Sequence, residues 1–312
     1  MGMINAYDAY ALLEKSKLYQ NQLHDVLKDE LGAKKVLCIS DTTDVHLTSD
    51  EDTSSIAYTI EKAGFGSELE VIQTDFIEFS YNDPDHKFGA HLPQNHDETR
   101  REYLKVDSTR LDDDLSQVEN SDVILGRNCI CACDGNGKLC GGIDISVEAQ
   151  QNYLETLIKQ QPSLIVLSAT EAVFQTYPDS LEYNEQRRRA QNLYKEAKNN
   201  LIQVCENLNA TQNNYVFQVI EMDENLNEYI ENNFEIENGY MLVAYNTDKI
   251  NFQPSTVSLE NEREKAKKEV IKMDVSRQAL IQEHKKILEG QDKTSQDSEI
   301  EHDHNLLSSN NK

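Results

Sequence analysis

The sequence predicts an α/β protein with a doubly wound, mostly parallel seven-stranded sheet, an antiparallel edge hairpin and helices on both faces. Two observations carry this prediction. Short apolar runs without helical spacing alternate with amphipathic segments, which is typical of parallel strands that are buried on both faces. Two late β-rich runs, at 215–220 and 240–245, lack the long connection that parallel strands require, and so indicate an antiparallel pair.

The predicted elements begin with an N-terminal helical cap. Apolar side chains recur at three- and four-residue intervals through residues 1–34, and Gly32 is a stop signal. The predicted helices after this cap cover 53–63, 147–160 and 183–207. The predicted strands cover 35–40, 69–74, 103–106, 122–126, 163–169, 215–220 and 240–245.

The composition divides the chain into further segments. We expect the α/β domain to span residues 35–250, interrupted by a polar insert at 76–101. Residues 251–290 are charged and helix-prone and predict a C-terminal helix. Residues 291–312 contain almost nothing to bury and predict a disordered tail.

The charge and hydropathy of the chain exclude several classes of function. The formal net charge is −26, which repels nucleic acid and anionic lipid over most of the surface. The short basic runs at 100–101 and 187–189 are better explained as solvated faces than as a binding patch. No apolar window reaches the length of a membrane span, and the start lacks the layout of a secretory signal. We therefore expect a soluble, cytoplasmic protein.

The predicted strands place several polar residues at one edge of the sheet. Asp41 and Asp75 follow the first two strands, Asp107 follows the third, and Arg127 follows the fourth. In a doubly wound sheet, ligands bind outside the carboxyl ends of the strands. The sequence therefore predicts a nucleotide-type site at this edge.

Over roughly residues 1–250, this layout resembles the seven-stranded class I methyltransferases that use S-adenosylmethionine. The resemblance implies that Asp75 holds the ribose hydroxyls of the cofactor, and that Asp107 and Ser108 lie by the adenine amino group. It also implies that Arg127 and Asn128, after the fourth strand, flank the methionine moiety and carry catalytic roles, with Arg127 contacting the cofactor as well. Cys129 shares the predicted catalytic position.

One turn departs from the family pattern. The family usually has a glycine-rich turn after the first strand, whereas this chain has Ser40, Asp41 and Thr42 there, and no glycine as far as His46. We assign Ser40, Asp41 and Thr42 to the cofactor site, with either Asp41 or Asp44 able to hold the cofactor's amino group. The alternative is a remodelled or inactive pocket.

Four of the six cysteines cluster after the fourth strand, at Cys129, Cys131, Cys133 and Cys140. In a long cytosolic chain such a cluster is more often metal-binding, redox-active or catalytic than disulfide-bonded. Four thiolates would make a closed zinc site. The alternatives are one reactive thiol, or small apolar side chains packed beneath a loop.

Three histidines lie in the polar insert, at His86, His91 and His96. If the insert covers the ligand edge, His91 could serve as a general base, because the unperturbed imidazole pKa lies near working pH. The alternative is that these are solvated loop histidines.

The leading functional hypothesis is methyl transfer from S-adenosylmethionine to an oxygen or nitrogen acceptor on a small molecule or a protein. The alternative is a catalytically inactive interaction protein on the same fold, with a protein partner bound by the C-terminal helix. The polar C-terminal composition resembles the translocation signals of bacterial type IV secretion effectors, which would make the protein a secreted effector.

Overall fold

The computed structural model describes residues 1–13, 23–41, 56–63, 65, 68–75, 100–105, 115, 118, 120–132, 137–139, 143–174, 181–222 and 234–253. All of them belong to one compact unit that spans Met1–Glu262. Within these ranges, no helix is long and apolar enough to cross a membrane.

The described residues form nine strands and four α-helices. In chain order, strands β1 to β9 are Gly2–Asn5, Lys35–Cys38, Glu70–Asp75, Arg100–Lys105, Val123–Gly126, Leu164–Phe174, Tyr215–Met222, Phe234–Asn246 and Ile250–Gln253. The helices α1 to α4 are Ala6–Leu13, Ile56–Lys62, Val147–Lys159 and Leu181–Thr211, and Asp25–Glu30 is a π-helical segment.

Seven of the strands form the main sheet, in the order β4-β3-β2-β5-β6-β8-β7. The first five of these are parallel. Strand β8 is antiparallel to both β6 and β7, so β7 runs in the same direction as the parallel set. The predicted fold class, the strand number and the antiparallel pairing of the two late strands are confirmed.

The position of β8 follows from the connections. Helix α4 is 31 residues long and forms the crossover that returns the chain to a parallel β7. The chain then reverses, and β8 pairs between β6 and β7. Strand β7 is therefore one of the two edge strands of the sheet, opposite β4. The backbone N–H and C=O of its Phe217 both bond the Asn209 side chain of α4 at 2.8 Å.

The core lies between this sheet and the helices packed on it. Helices α3 and α4 contact each other, and α4 also contacts β6 and β7. Helix α3 buries one face, which includes Tyr153, Leu154 and Leu157, and α4 buries Leu201 and Leu208. These side chains pack with the apolar residues of the central strands in one cluster.

The N-terminus differs from the predicted helical cap. Residues 2–5 form β1, which pairs in parallel with β9 in a second, two-stranded sheet. Helix α1 then begins with a reciprocal cap, in which the Asn5 N–H donates to Asp8 Oδ2 and the Asp8 N–H donates to Asn5 Oδ1, both at 2.9 Å. All eight residues of α1 are buried, and it contacts β5 and β6.

Two predicted boundaries are also wrong. Residues 251–253 belong to β9, with Ile250 and Phe252 buried, rather than to the start of the charged helix. Residues 100 and 101 belong to β4 rather than to the polar insert. The rest of the insert, the remainder of the predicted C-terminal helix with its predicted partner, and the predicted tail lie outside the described residues.

Candidate functional site

The carboxyl ends of β2 and β5 form the point where the strand order of the main sheet reverses. From β2 the chain moves outward through β3 and β4, and it then returns to the other side of β2 as β5 and β6. The β2–β5 pairing reaches Cys38 and Leu125, and the Ile39 N–H extends it by donating to the Leu125 carbonyl at 2.7 Å. The register of β2 with β5 ends there. Such a switch point is where ligands bind in open α/β sheets.

Two residues with left-handed backbone conformation flank this switch point. Ser40 after β2 has φ 49°, and Asn128 after β5 has φ 54°. The remaining non-glycine residue of this kind in the described ranges is Gln161, after α3. A left-handed conformation costs a non-glycine residue about 1–2 kcal/mol, and such strain is often found at functional sites. Both strands therefore end in strained turns at the predicted site.

Asp41 is buried beside Ser40, and its carboxylate is hydrogen-bonded to the start of α2. Its two carboxylate oxygens accept hydrogen bonds from the backbone N–H groups of Ile56, at 2.7 Å, and Ala57, at 2.9 Å. The carboxylate thereby caps the first turn of α2 and complements the positive end of the helix dipole. Contact between Asp41 and the cofactor's amino group stays a prediction, and Thr42 and Asp44 lie outside the described residues.

The end of β3 is fixed beside the end of β2. The Asp41 N–H donates to the Thr74 carbonyl at 2.9 Å, and Thr74 Oγ1 donates to the Cys38 carbonyl at 3.0 Å. Asp75 is the last residue of β3, paired in register with Lys105 of β4. The backbone thus places Asp75 one strand away from Ser40, at the predicted edge. Asp107 and Ser108 lie outside the described residues.

The segment after β5 begins at a crowded glycine. A Cβ on Gly126 would lie 2.6 Å from Cys129 Sγ and 3.3 Å from the Ile39 carbonyl oxygen. The absence of a side chain lets the Cys129 side chain pack back against the end of β5. Cys129 is only 1% exposed and belongs to the hydrophobic core. This position agrees with the packing alternative and keeps the thiol away from solvent, so a catalytic role for Cys129 has no support in its surroundings.

Arg127 and Asn128 are held by residues from other elements. The half-buried Arg127 donates from Nη1 to the carbonyl of Leu13, the last residue of α1, at 3.5 Å. Asn128 is exposed, and its backbone N–H donates to Ser168 Oγ at 3.2 Å. The structure therefore brings Ser40, Asp75, Arg127 and Asn128 to one edge of the sheet.

The cysteine cluster does not form the four-thiolate zinc site that the sequence allows. Cys131 is buried and disulfide-bonded, to a partner outside the described residues. A disulfide sulfur is not a thiolate ligand, so Cys129, Cys131, Cys133 and Cys140 cannot together bind zinc in this state. Among the residues that the structure describes, no group of three or more His, Cys, Asp or Glu could hold a metal ion.

The expectation that this cluster is metal-binding, redox-active or catalytic rather than disulfide-bonded is wrong at Cys131. Spacing alone does not distinguish the two, because both chemistries bring cysteines close together. His91, with His86 and His96, lies outside the described residues, so its role as a base stays a prediction.

Two contributors to this edge escaped the sequence analysis. Leu13 acts through a backbone carbonyl, which leaves no trace in the sequence. Ser168 did leave a signal, because it is the hydroxyl-bearing side chain within the otherwise apolar run at 164–169. A buried hydroxyl in such a strand needs a hydrogen-bond partner.

No protein-family model matches the chain, and no curated protein matches it. The chain is similar to several solved structures, with low TM-scores and low sequence identity. The plantazolicin methyltransferase BpumL in complex with SAH has a TM-score of 0.41 and 11% sequence identity, covering 77% of this chain and 86% of that one. A cyclopropane-fatty-acyl-phospholipid synthase-like protein from Lactobacillus casei has a TM-score of 0.39 and 10% identity, covering 77% and 97%. An O-methyltransferase from Bacillus cereus in complex with SAH has a TM-score of 0.34 and 12% identity, covering 76% and 86%.

Proposed function

We propose that the protein transfers the methyl group of S-adenosylmethionine to an oxygen or nitrogen atom of a small-molecule or protein acceptor. The observation that carries the proposal is the edge of the seven-stranded sheet at the β2/β5 switch point. There the left-handed residues Ser40 and Asn128 follow the end of the β2–β5 pairing, and Asp75 ends the neighbouring strand.

The residues at this edge suit an adenosyl ligand. A carboxylate can accept hydrogen bonds from two vicinal hydroxyls, so Asp75 would hold the ribose. The family's glycine-rich turn lets the backbone approach the cofactor, and Ser40 adopts the positive φ that glycine normally supplies. Ser40 therefore supplies the backbone conformation of the missing glycine, although its side chain occupies space that a glycine would leave free.

The protein's part in the reaction would be orientation. S-adenosylmethionine supplies an activated methyl group on its sulfonium, so proximity and alignment account for most of the catalysis and few dedicated catalytic groups are required. Asn128 would lie beside the methionine end, with its side chain exposed to an incoming acceptor. Arg127, bonded to the end of α1, would keep this wall of the site in place.

Titration calorimetry with S-adenosylhomocysteine, the unreactive product, tests this proposal. We expect saturable one-site binding by the wild-type protein. Asp75→Asn should weaken it about 10-fold or more, because a hydrogen bond to a charged group contributes roughly 1.5–3 kcal/mol. Glu70→Gln is the matched control, because Glu70 begins the same strand at the opposite edge. Equal weakening by both variants, or no binding by the wild type at millimolar ligand, would sink the proposal.

A second candidate function is a catalytically inactive interaction protein on the same fold. The observation that favours it is the engagement of Asp41, whose buried carboxylate is bonded to the start of α2. This candidate predicts a folded protein that gives no binding heat with S-adenosylhomocysteine. The same calorimetric experiment therefore separates the two functions.

A further inference from the structure

Ser168 is a buried hydroxyl in a strand that is otherwise apolar where it crosses the core. Its neighbours Leu167 and Ala169 are fully buried, and Ser168 is 3% exposed. Packing alone would be satisfied by alanine, which is the residue at the next position. The hydroxyl therefore calls for a second explanation, because its burial is unfavourable unless it is hydrogen-bonded.

The hydroxyl oxygen accepts the backbone N–H of Asn128, across 40 residues of chain. The regular β5–β6 pairing ends where Gly126 faces Leu167. Asn128 and Ser168 lie just beyond this last pair. The Ser168 side chain thus continues the connection between the two strands after the backbone ladder has stopped.

This hydrogen bond fixes the peptide that precedes a left-handed residue. Asn128 has φ 54°, a conformation that asparagine adopts more readily than most non-glycine residues and that a contact from the surrounding structure can stabilise. The orientation of this peptide sets the direction of the exposed Asn128 side chain. The neighbouring Arg127 is held independently of Ser168, because its side chain donates to the Leu13 carbonyl.

We infer that Ser168 is a positioning residue, which holds Asn128 in the left-handed conformation so that its side chain borders the methionine end of the ligand. The role at the ligand rests on the proposed function. The hold on the backbone of Asn128 does not, and it can be tested without any ligand.

The first test is a crystal structure of Ser168→Ala. Without the hydroxyl, we expect residue 128 to leave the left-handed region. Ser168→Thr, which keeps the hydroxyl and suits a strand, should retain a positive φ. A φ that remains near 54° in Ser168→Ala would overturn the inference. If Ser168→Ala does not fold, Asn128→Gly in that background removes the strain at residue 128, and rescue of folding supports the inference while continued failure overturns it.

The second test measures the binding of two ligands to the wild-type and variant proteins. S-adenosylhomocysteine contains the methionine moiety, whereas methylthioadenosine lacks its amino and carboxyl groups. Ser168→Ala should weaken S-adenosylhomocysteine binding about 3- to 10-fold, the range expected for one misplaced hydrogen bond, and leave methylthioadenosine binding unchanged. Ser168→Thr should restore the affinity. A merely structural role would weaken both ligands equally, and that outcome would overturn the inference.

Ser121 provides the matched control. It is 1% exposed and lies before β5 at the opposite edge of the sheet, and its hydroxyl has no hydrogen-bond partner in the described part of the chain. Ser121→Ala should leave both affinities and the conformation of residue 128 unchanged. If the wild type binds neither ligand, the proposed function fails, and the Ser168→Ala structure still decides whether Ser168 holds Asn128.

Discussion

Ser40 adopts a conformation in which glycine would carry no steric penalty. We predict that Ser40→Gly raises the free energy of unfolding by about 0.5–1 kcal/mol, since relief of the left-handed strain exceeds the entropy that glycine adds to the unfolded chain. Ser40→Val should lower it, because β-branched side chains tolerate positive φ poorly. Urea denaturation measures both.

Gln161 is the control for this prediction, because it has φ 53° at the end of α3. Gln161→Gly should also stabilise the protein but leave ligand affinity unchanged. A valine variant of Ser40 as stable as the glycine variant would show that the turn carries no strain.

Asp41 connects the end of β2 to the start of α2 through two buried hydrogen bonds. Asp41→Asn replaces one acceptor oxygen with a donor that faces a backbone N–H. We expect a loss of roughly 1.5–3 kcal/mol of unfolding free energy, the value of a hydrogen bond to a charged group. Thermal and urea unfolding check this value.

Asp144 is the comparison for Asp41. It is an exposed carboxylate before α3 that accepts the Ser146 N–H at 2.9 Å. Hydrogen bonds from the backbone and the side chain of Ser146 lower the pKa of Asp144. Asp144→Asn should cost about 0.5 kcal/mol or less, as is usual for surface positions. A comparable loss in the two variants would contradict a special role for Asp41.

At the residue scale, the sequence predicted which residues lie at the carboxyl edge of the sheet better than which contacts they make there. Asp41, Asp75, Arg127 and Asn128 could be placed because each follows an apolar run that ends a buried strand. The α2 cap could not be foreseen, because the capping carboxylate is 15 residues from the N–H it accepts. The burial of Cys129 depends on the packing around Gly126, which sequence spacing does not describe.

Strand β1 anchors the segment that leads into α1. Gly2 has no room for a side chain, since a Cβ would collide with the Glu30 carbonyl oxygen. We predict that Gly2→Ala displaces β1 from β9, because the obstacle is backbone. Hydrogen exchange should then be faster in β1 and α1.

Met3 gives a control within the same strand, because it is 60% exposed. Met3→Ala should leave exchange in α1 unchanged. Unchanged exchange in the Gly2→Ala protein would show that β1 does not anchor α1.

The segment after β5 contains the disulfide of Cys131. Of six cysteines in the chain, two are in this bond, so four thiols should be alkylated in unfolded, unreduced protein and six after reduction. Native protein should react slowly at Cys205, because burial raises the pKa of its thiol to about 12. Mass spectrometry counts the labels, and six labels without reductant would contradict the disulfide.

At the element scale, the strands of the main sheet were predictable because buried parallel strands form continuous apolar runs. Strands β1 and β9 were not, because each is four residues long and its partner is almost the whole described chain away. The placement of β8 between β6 and β7 also depends on pairing that local periodicity does not contain.

At the scale of the whole molecule, the fold class and the position of the switch point at the carboxyl edge followed from the order of the elements. In a parallel sheet whose strand order reverses between β2 and β5, a crevice is expected at that point whatever the side chains are. The identity of the ligand is a different question, because it depends on a few contacts at this edge. Asp75, Ser40 and Asn128 are the residues on which the methyltransferase proposal depends.

The most direct test of the central claim is a crystal structure of the wild-type protein with S-adenosylhomocysteine. The account predicts that the ligand lies outside the carboxyl ends of β2 and β5, with its ribose hydroxyls within hydrogen-bond distance of the Asp75 carboxylate and its methionine end beside Asn128. A ligand bound elsewhere on the molecule, or a well-ordered protein with no ligand at saturating concentration, would contradict it.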